Sequence, residues 1–218
     1  ERRGAGFDLP WPWGGERFEL RELAAITYIV GPLGSGKTRL ARRLAQALPD
    51  AVFMGLDRAE QGAAALNDLL AEDPDLDAKV NQVLAWLVED GATSSDALLA
   101  LLIGLEGEGS GAVVVDMVEH GLDQTTQAAL IAHLRRRGPL ARPLLLMTRS
   151  TAILDLAAVG PAEAIILCPA NHSPPSLVVA TPGALGYEAV ATCLASPAVR
   201  VRTEGVIAWR PPQGAQAG

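Results

Sequence analysis

Residues 31–38 read Gly31-Pro32-Leu33-Gly34-Ser35-Gly36-Lys37-Thr38 and fit the pattern G-x-x-x-x-G-K-[ST] in full. A pattern of this kind constrains the chain because each position answers a physical demand. A di- or triphosphate needs several main-chain N–H donors converging on it, and glycines let the backbone curl that closely. The helix that follows aims its positive end at the same spot. Lys37 is expected to bridge the β- and γ-phosphates of a bound nucleotide, and the Thr38 hydroxyl to ligate Mg²⁺. The remaining loop residues and Arg39, next on the helix, complete the expected nucleotide contacts.

The flanks supply the context the loop requires. Ala25 to Val30 is a near-continuous β-prone run, as in a strand buried on both faces. Leu40, Ala41, Leu44, Ala45 and Leu48 form a helical stripe that Pro49 ends. Further strands are expected at 51–54, 112–116, 143–148, 164–168, 177–180 and 206–209. Helices are expected at 63–70, 80–89, 95–105, 125–137, 150–158 and 187–194, with breaks at Asp73-Pro74 and Asp90-Gly91. The alternation predicts an α/β fold, a three-layer P-loop arrangement with a mostly parallel sheet and a small helical insertion. The expected organisation is a single domain over 1–210, with 57–110 as the insertion and 211–218 as a loose tail.

Composition sets limits on function. The net charge of -7 argues against a whole-surface nucleic-acid platform and leaves nucleic acid without support as a partner. Lys37 and Lys79 are the only lysines, so one of two falls at the key position of the loop. No apolar run approaches the roughly 20 residues that span a bilayer. Cys168 and Cys193 are too few for a disulfide framework or a four-cysteine zinc site, and the first residues lack the apolar stretch of a secretory leader. The expectation is a reducing, cytoplasmic setting.

Val113-Val114-Val115-Asp116 ends a buried strand in a carboxylate, the position of a Walker B aspartate that holds Mg²⁺ beside the phosphates. An ordinary strand-ending Asp that caps the next loop is the alternative. The segment Asp116-Met117-Val118-Glu119-His120-Gly121-Leu122-Asp123 resembles the D-E-P-E-x-G-L-[HD] stretch of ABC-like AAA ATPases, a group that includes SMC-like DNA-repair and phage-defence ATPases. Leu144 to Ser150, followed by Ile153-Leu154-Asp155, is similar to the same family's switch segment ending T-H-S-P-x-x-L-D. The phosphate loop is similar to the family's G-P-N-G-S-G-K-[ST], with Leu33 in place of Asn. The resemblance covers about residues 25–167. It implies an ATP- and Mg²⁺-dependent protein that acts through dimerisation or a partner chain.

The departures from that family carry equal weight. Met117 stands where the resemblance places a water-activating glutamate, and a thioether accepts no proton from water at neutral pH. Arg149 stands at the switch histidine, and Thr93-Ser94-Ser95-Asp96, the nearest candidate for the signature segment, lacks its glycines. Two readings follow. In one, Glu119 takes over as base and Arg149 supplies transition-state charge, so that Lys37, Glu119 and Arg149 form the catalytic set. In the other, which is preferred, the site binds nucleotide, hydrolyses it weakly and serves as a switch. A small-molecule or nucleotide kinase is the runner-up. It needs an arginine-bearing lid, and residues 57–108 contain only Arg58 and Lys79 as basic groups. No N-K-x-D segment reports a guanine preference.

Several smaller features have ordinary readings beside the functional ones. Trp11, Trp13 and Phe18 are expected to plug a core edge, with adenine stacking as the alternative. Arg135-Arg136-Arg137 is expected as a solvated helix end, His120 as an exposed loop histidine, and Asp57-Arg58 as a loop cap.

Overall fold

The computed structural model describes residues 3–138 and 140–194 of the chain. It opens with an antiparallel hairpin, β1 (Arg3–Asp8) and β2 (Arg17–Glu22), paired with Phe7 opposite Phe18. The main sheet follows: β3 (Ile26–Val30), β4 (Val52–Met54), β5 (Val113–Val115), β6 (Leu144–Met147), β7 (Glu163–Leu167) and β8 (Ser176–Val178). Its order is β4-β5-β6-β3-β7-β8, parallel throughout except for β8 against β7. The expected strand at 206–209 and the tail at 211–218 lie outside the described residues.

Period-two alternation along the central strands sorts side chains to two faces. Ile26, Tyr28, Val30, Val113, Val115, Leu144 and Leu146 share one core with the helices of the insertion. Ile29, Val114, Leu145, Met147 and Ile166 share the other with α1 (Lys37–Ala47) and the hairpin. Three layers result, as the alternation of elements predicted.

The insertion between β4 and β5 holds a short 3₁₀ turn (Leu56–Glu60) and helices α2 (Ala63–Glu72), α3 (Pro74–Glu89) and α4 (Asp96–Glu106). Helix α3 begins earlier than the expected residue 80. Asp73-Pro74, expected as a break, is a helix start: the Asp73 carboxylate accepts the Leu76 N–H and Pro74 occupies the first turn, where it has no N–H to satisfy. Ser95 likewise caps α4 by accepting from Leu98, so Thr93 to Asp96 forms a helix entry.

Helix α5 (Gln124–Arg135) is capped by Asp123, and α6 (Tyr187–Leu194) closes the described chain. The helix expected at 150–158 is a run of turns. There the Ser150 hydroxyl accepts the Ala152 N–H and the Asp155 carboxylate accepts the Ala157 N–H. The Asp155 side chain thus takes a donor that a continuous helix would pair with the Ile153 carbonyl.

The arginine triplet at the end of α5 also departs from its expected solvated state. Only Arg136 faces outward, paired with Asp90 at 2.9 Å. Arg135 binds Glu163 at 2.7 Å, and Arg137 turns toward the Leu105 carbonyl. A carboxylate at the start of β7 and the negative C-terminal end of α4 draw the two inward.

Candidate functional site

The parallel strands β5, β6 and β3 lie side by side, so their C-terminal ends share one edge of the sheet. Residues 31–38 leave β3 there and run into α1. Asp116 leaves β5, Glu119 sits in the turn after it, and Arg149 leaves β6. Residues separated by more than a hundred positions therefore converge on the loop.

The loop's shape depends on glycine at two points. Gly36 has φ 91 and is the N-cap of α1; a Cβ there would also lie 2.7 Å from the Trp13 ring. At Gly31 a Cβ would stand 2.4 Å from the Cys168 carbonyl oxygen, so the loop is pressed against the chain leaving β7. No side chain caps α1 and no acidic residue occupies its first turn, features it shares with α2, whereas Asp73, Ser95 and Asp123 cap α3, α4 and α5. Of α1 and α2, only α1 begins beside Lys37 and Asp116. The mouth of α1 keeps its N–H groups and its positive end for an anion.

Lys37 is buried, and its ammonium donates to the carbonyls of Gly31 and Pro32, each at 2.7 Å. Burial lowers its pKa, and the neighbouring charge of Arg149 adds to that effect. Leu33, at the position of the family's Asn, is fully exposed at the loop tip. Arg39 is exposed on the first turn of α1, its guanidinium 4.6 Å from the centre of the Trp11 ring.

Asp116 is buried at the end of β5. Burial raises its pKa, while the charges of Arg58, Arg42 and Lys37 and the Thr38 hydroxyl pull it back. A carboxylate and a hydroxyl are oxygen donors that suit Mg²⁺, which typically takes its remaining ligands from phosphates and water. Among the described residues no group of three or more His, Cys, Asp or Glu side chains is placed to hold a metal ion by itself. The donors present therefore fit a magnesium ion that arrives with a polyphosphate.

Glu119 and Arg149 meet through the backbone. The Arg149 N–H donates to Glu119 Oε1 at 2.8 Å, which ties the turn after β5 to the end of β6. Glu119 Oε2 and Arg149 Nε are both buried with no partner among the described residues. Unpaired buried groups of this sort are costly; a water could donate to Glu119 Oε2, and a water or an anion could accept from Arg149 Nε. Met117 has φ 43, a left-handed backbone that an unbranched side chain adopts only with strain.

The Met117 carbonyl is held by a residue whose role the sequence reading did not foresee. Arg58 was expected to belong to a loop cap; instead its guanidinium is buried and donates to the carbonyls of Gly55 at 2.7 Å, Asp116 at 2.7 Å and Met117 at 2.8 Å. One planar cation thus fixes the ends of β4 and β5 together. The second group that was missed is the segment after β7. There His172 Nε2 lies 2.9 Å from the Gly34 carbonyl, and the Trp13 indole N–H donates to the Ser173 carbonyl at 3.2 Å. No local signal in either stretch announces a contact with a loop 138 residues away. Phe18 packs against Phe7 in the core and Trp13 is buried, as expected of a core edge, whereas Trp11 is exposed. His120 is exposed, as expected.

Fold and loop together define a P-loop nucleotide-binding domain of α/β architecture. A family model described as an AAA domain matches residues 20–151, and the chain belongs to that family. No curated protein matches it. Solved structures with a similar fold include the RNase-L Inhibitor, at TM-score 0.52 and 17% identity over 77% of this chain and 37% of that one. A metal-chelate type ABC transporter in an inward-facing conformation matches at TM-score 0.53 and 13% identity, over 82% of each chain. A bacterial Atm1-family ABC exporter with ATP bound matches at 0.51 and 14%, over 81% of this chain and 39% of that one. The chain thus spans well under half of the first and third of these proteins. At such identities the likeness concerns the fold, which is that of P-loop NTPases of the ABC/AAA type. No helix among the described residues is long and apolar enough to cross a membrane.

Proposed function

We propose that this domain binds ATP with Mg²⁺ at residues 31–39 and serves as a nucleotide-dependent switch with weak hydrolysis, acting through a second copy or a partner chain. The observation that carries the reading is the uncapped mouth of α1, with the Lys37 ammonium and the Asp116 carboxylate beside it. In this reading Lys37 neutralises the phosphates, Thr38 and Asp116 hold the metal, and Arg39 with Trp11 flanks the base. A magnesium ion bound there would supply charge neutralisation between phosphate oxygens.

Weak rather than efficient turnover is supported by Met117, which offers no base next to Asp116. Glu119 is the available carboxylate, but one oxygen is held by the Arg149 N–H and the other is enclosed. Arg149 Nε has no partner among the described residues, which suits it to a γ-phosphate contact. The kinase alternative loses support because Arg58, one of the two basic residues between 57 and 108, is engaged with backbone carbonyls. The exporter structure with ATP bound is consistent with the choice of nucleotide, although that statement belongs to that protein. Calorimetric titration of the chain with Mg-ATP and Mg-GTP tests the reading. Saturable binding of Mg-ATP at one site is expected, and no heat and no affinity with either nucleotide would overturn it.

A further inference from the structure

At the N-terminal ends of β3, β6 and β7, the edge of the sheet opposite the phosphate loop, lies a cavity of about 250 Å³. Its walls are mostly apolar, and its charged lining consists of Arg135, Arg137, Arg142 and Glu163. Glu163 is fully engaged. It accepts from Arg135 Nε at 2.7 Å, the Tyr28 hydroxyl at 2.8 Å and the Gly160 N–H at 2.6 Å. Arg135 is thereby neutralised. Glu106 offsets the burial of Arg137 through its charge without forming an ion pair with it, and Arg142 has no carboxylate partner among the described residues.

Those two groups have a partial structural explanation. Arg142 donates to the carbonyls of Gly111 at 2.7 Å and Gly107 at 3.1 Å, and Arg137 to that of Leu105 at 3.5 Å. The C-terminal end of α4 thus accounts for two N–H directions, through Leu105 and Gly107, and the loop before β5 for the third, through Gly111. Neither accounts for Arg137 Nη1 or Arg142 Nη2, both buried with no partner among the described residues. Neither arginine forms an ion pair among the described residues. Unpaired buried donors on like-charged neighbours are unfavourable twice, by desolvation and by repulsion. An oxyanion between them would relieve both, because guanidinium groups match carboxylate and phosphate oxygens in geometry as well as charge.

We propose that this cavity binds a small amphipathic oxyanion, a carboxylate or a phosphomonoester, with its head at Arg137 and Arg142 and a short aliphatic body against the apolar wall. The cavity is remote from residues 31–39, so the inference does not rest on the nucleotide reading. Hexanoate, hexyl phosphate and uncharged 1-hexanol are the probes, titrated calorimetrically into the full chain at low ionic strength. The Lys37→Ala chain serves in parallel, so that hexyl phosphate captured by the phosphate loop is told apart from hexyl phosphate held in the cavity.

Saturable binding of at least one of the two acids, retained in Lys37→Ala and absent for 1-hexanol, is the expected result; which acid binds identifies the head group. Arg142→Gln is expected to weaken that binding by about tenfold or more through loss of a charge-assisted contact. Since Arg142 also supports the end of α4, Ala141→Leu is the second variant. It narrows the cavity while leaving both guanidinium groups in place, and it should weaken the acid comparably. No saturable binding of either acid, binding of the alcohol as tight as that of the acids, or unchanged affinity in both variants would overturn the proposal.

Discussion

Arg149 donates its main-chain N–H to the Glu119 carboxylate, which ties the turn after β5 to the end of β6 beside the phosphate loop. Because only one carboxylate oxygen takes part, Glu119→Gln keeps the acceptor and removes the base. If the domain is a weakly hydrolysing switch, the purified chain should show slow ATP turnover that Glu119→Gln changes by less than about tenfold. General-base catalysis is worth roughly 10²–10⁴-fold. A loss of that size in a steady-state phosphate-release assay would instead make Glu119 the base.

Lys37 is the only lysine at the site, and its ammonium is held by two loop carbonyls. Lys37→Ala should weaken Mg-ATP binding by about tenfold or more, as expected for loss of a charge-assisted contact. Calorimetry checks this, and unchanged affinity would remove the loop from the binding mode.

Thr38 and Asp116 are the candidate metal donors. Thr38→Ala and Asp116→Asn are expected to leave ATP binding that no longer tightens when Mg²⁺ is added. Titrations with Mg²⁺ and with a chelator make the comparison. Normal metal dependence in both variants would exclude Asp116 from the site.

Arg58 carries three hydrogen bonds to carbonyls in a buried position. Arg58→Met should destabilise the fold by about 2–4 kcal/mol, since a buried charged donor is replaced and three acceptors lose a partner. Arg58→Lys should recover only part of this, because an ammonium cannot reproduce the planar fork. Urea unfolding measures both. A change below about 0.5 kcal/mol, the range of ordinary surface substitutions, would show that the clamp contributes little.

His133, beside Trp86 on α5, has its pKa lowered chiefly by burial, with Arg136 and Arg137 acting in the same direction and Glu106 and Asp90 against it. The folded state therefore binds a proton less readily than the unfolded chain, whose histidine titrates near the ordinary value of about 6.5. Stability should be undiminished above that pH and fall as pH drops through it toward the depressed folded value. His133→Gln should remove this component, so wild-type stability should fall more than the variant's between about pH 7.5 and about pH 5.5. Parallel pH dependence of the two would contradict it.

Much of the architecture was legible from local pattern. The strands at 26–30, 113–115 and 144–147 announce themselves as apolar runs, and residues 31–38 specify their own turn because glycine spacing and a following helix are short-range properties. Helix α3 was read too short because Asp73-Pro74 permits either a break or a capped start, and packing of Val80, Val83 and Leu87 against the core favours the helix. At 150–158 the opposite happened: helical spacing was present, but the Asp155 side chain captured the Ala157 N–H locally.

Residues 31–38 alone determined that a phosphate-binding turn would sit between a buried strand and a helix, since backbone conformation and capping are decided within a few residues. Which groups would surround that turn was settled only by the tertiary structure. Arg58 on the Met117 carbonyl, Glu119 on the Arg149 N–H and His172 against Gly34 join segments far apart in sequence. Their meeting depends on sheet order and register, which arise from burying two apolar faces at once, and no short stretch of residues encodes that.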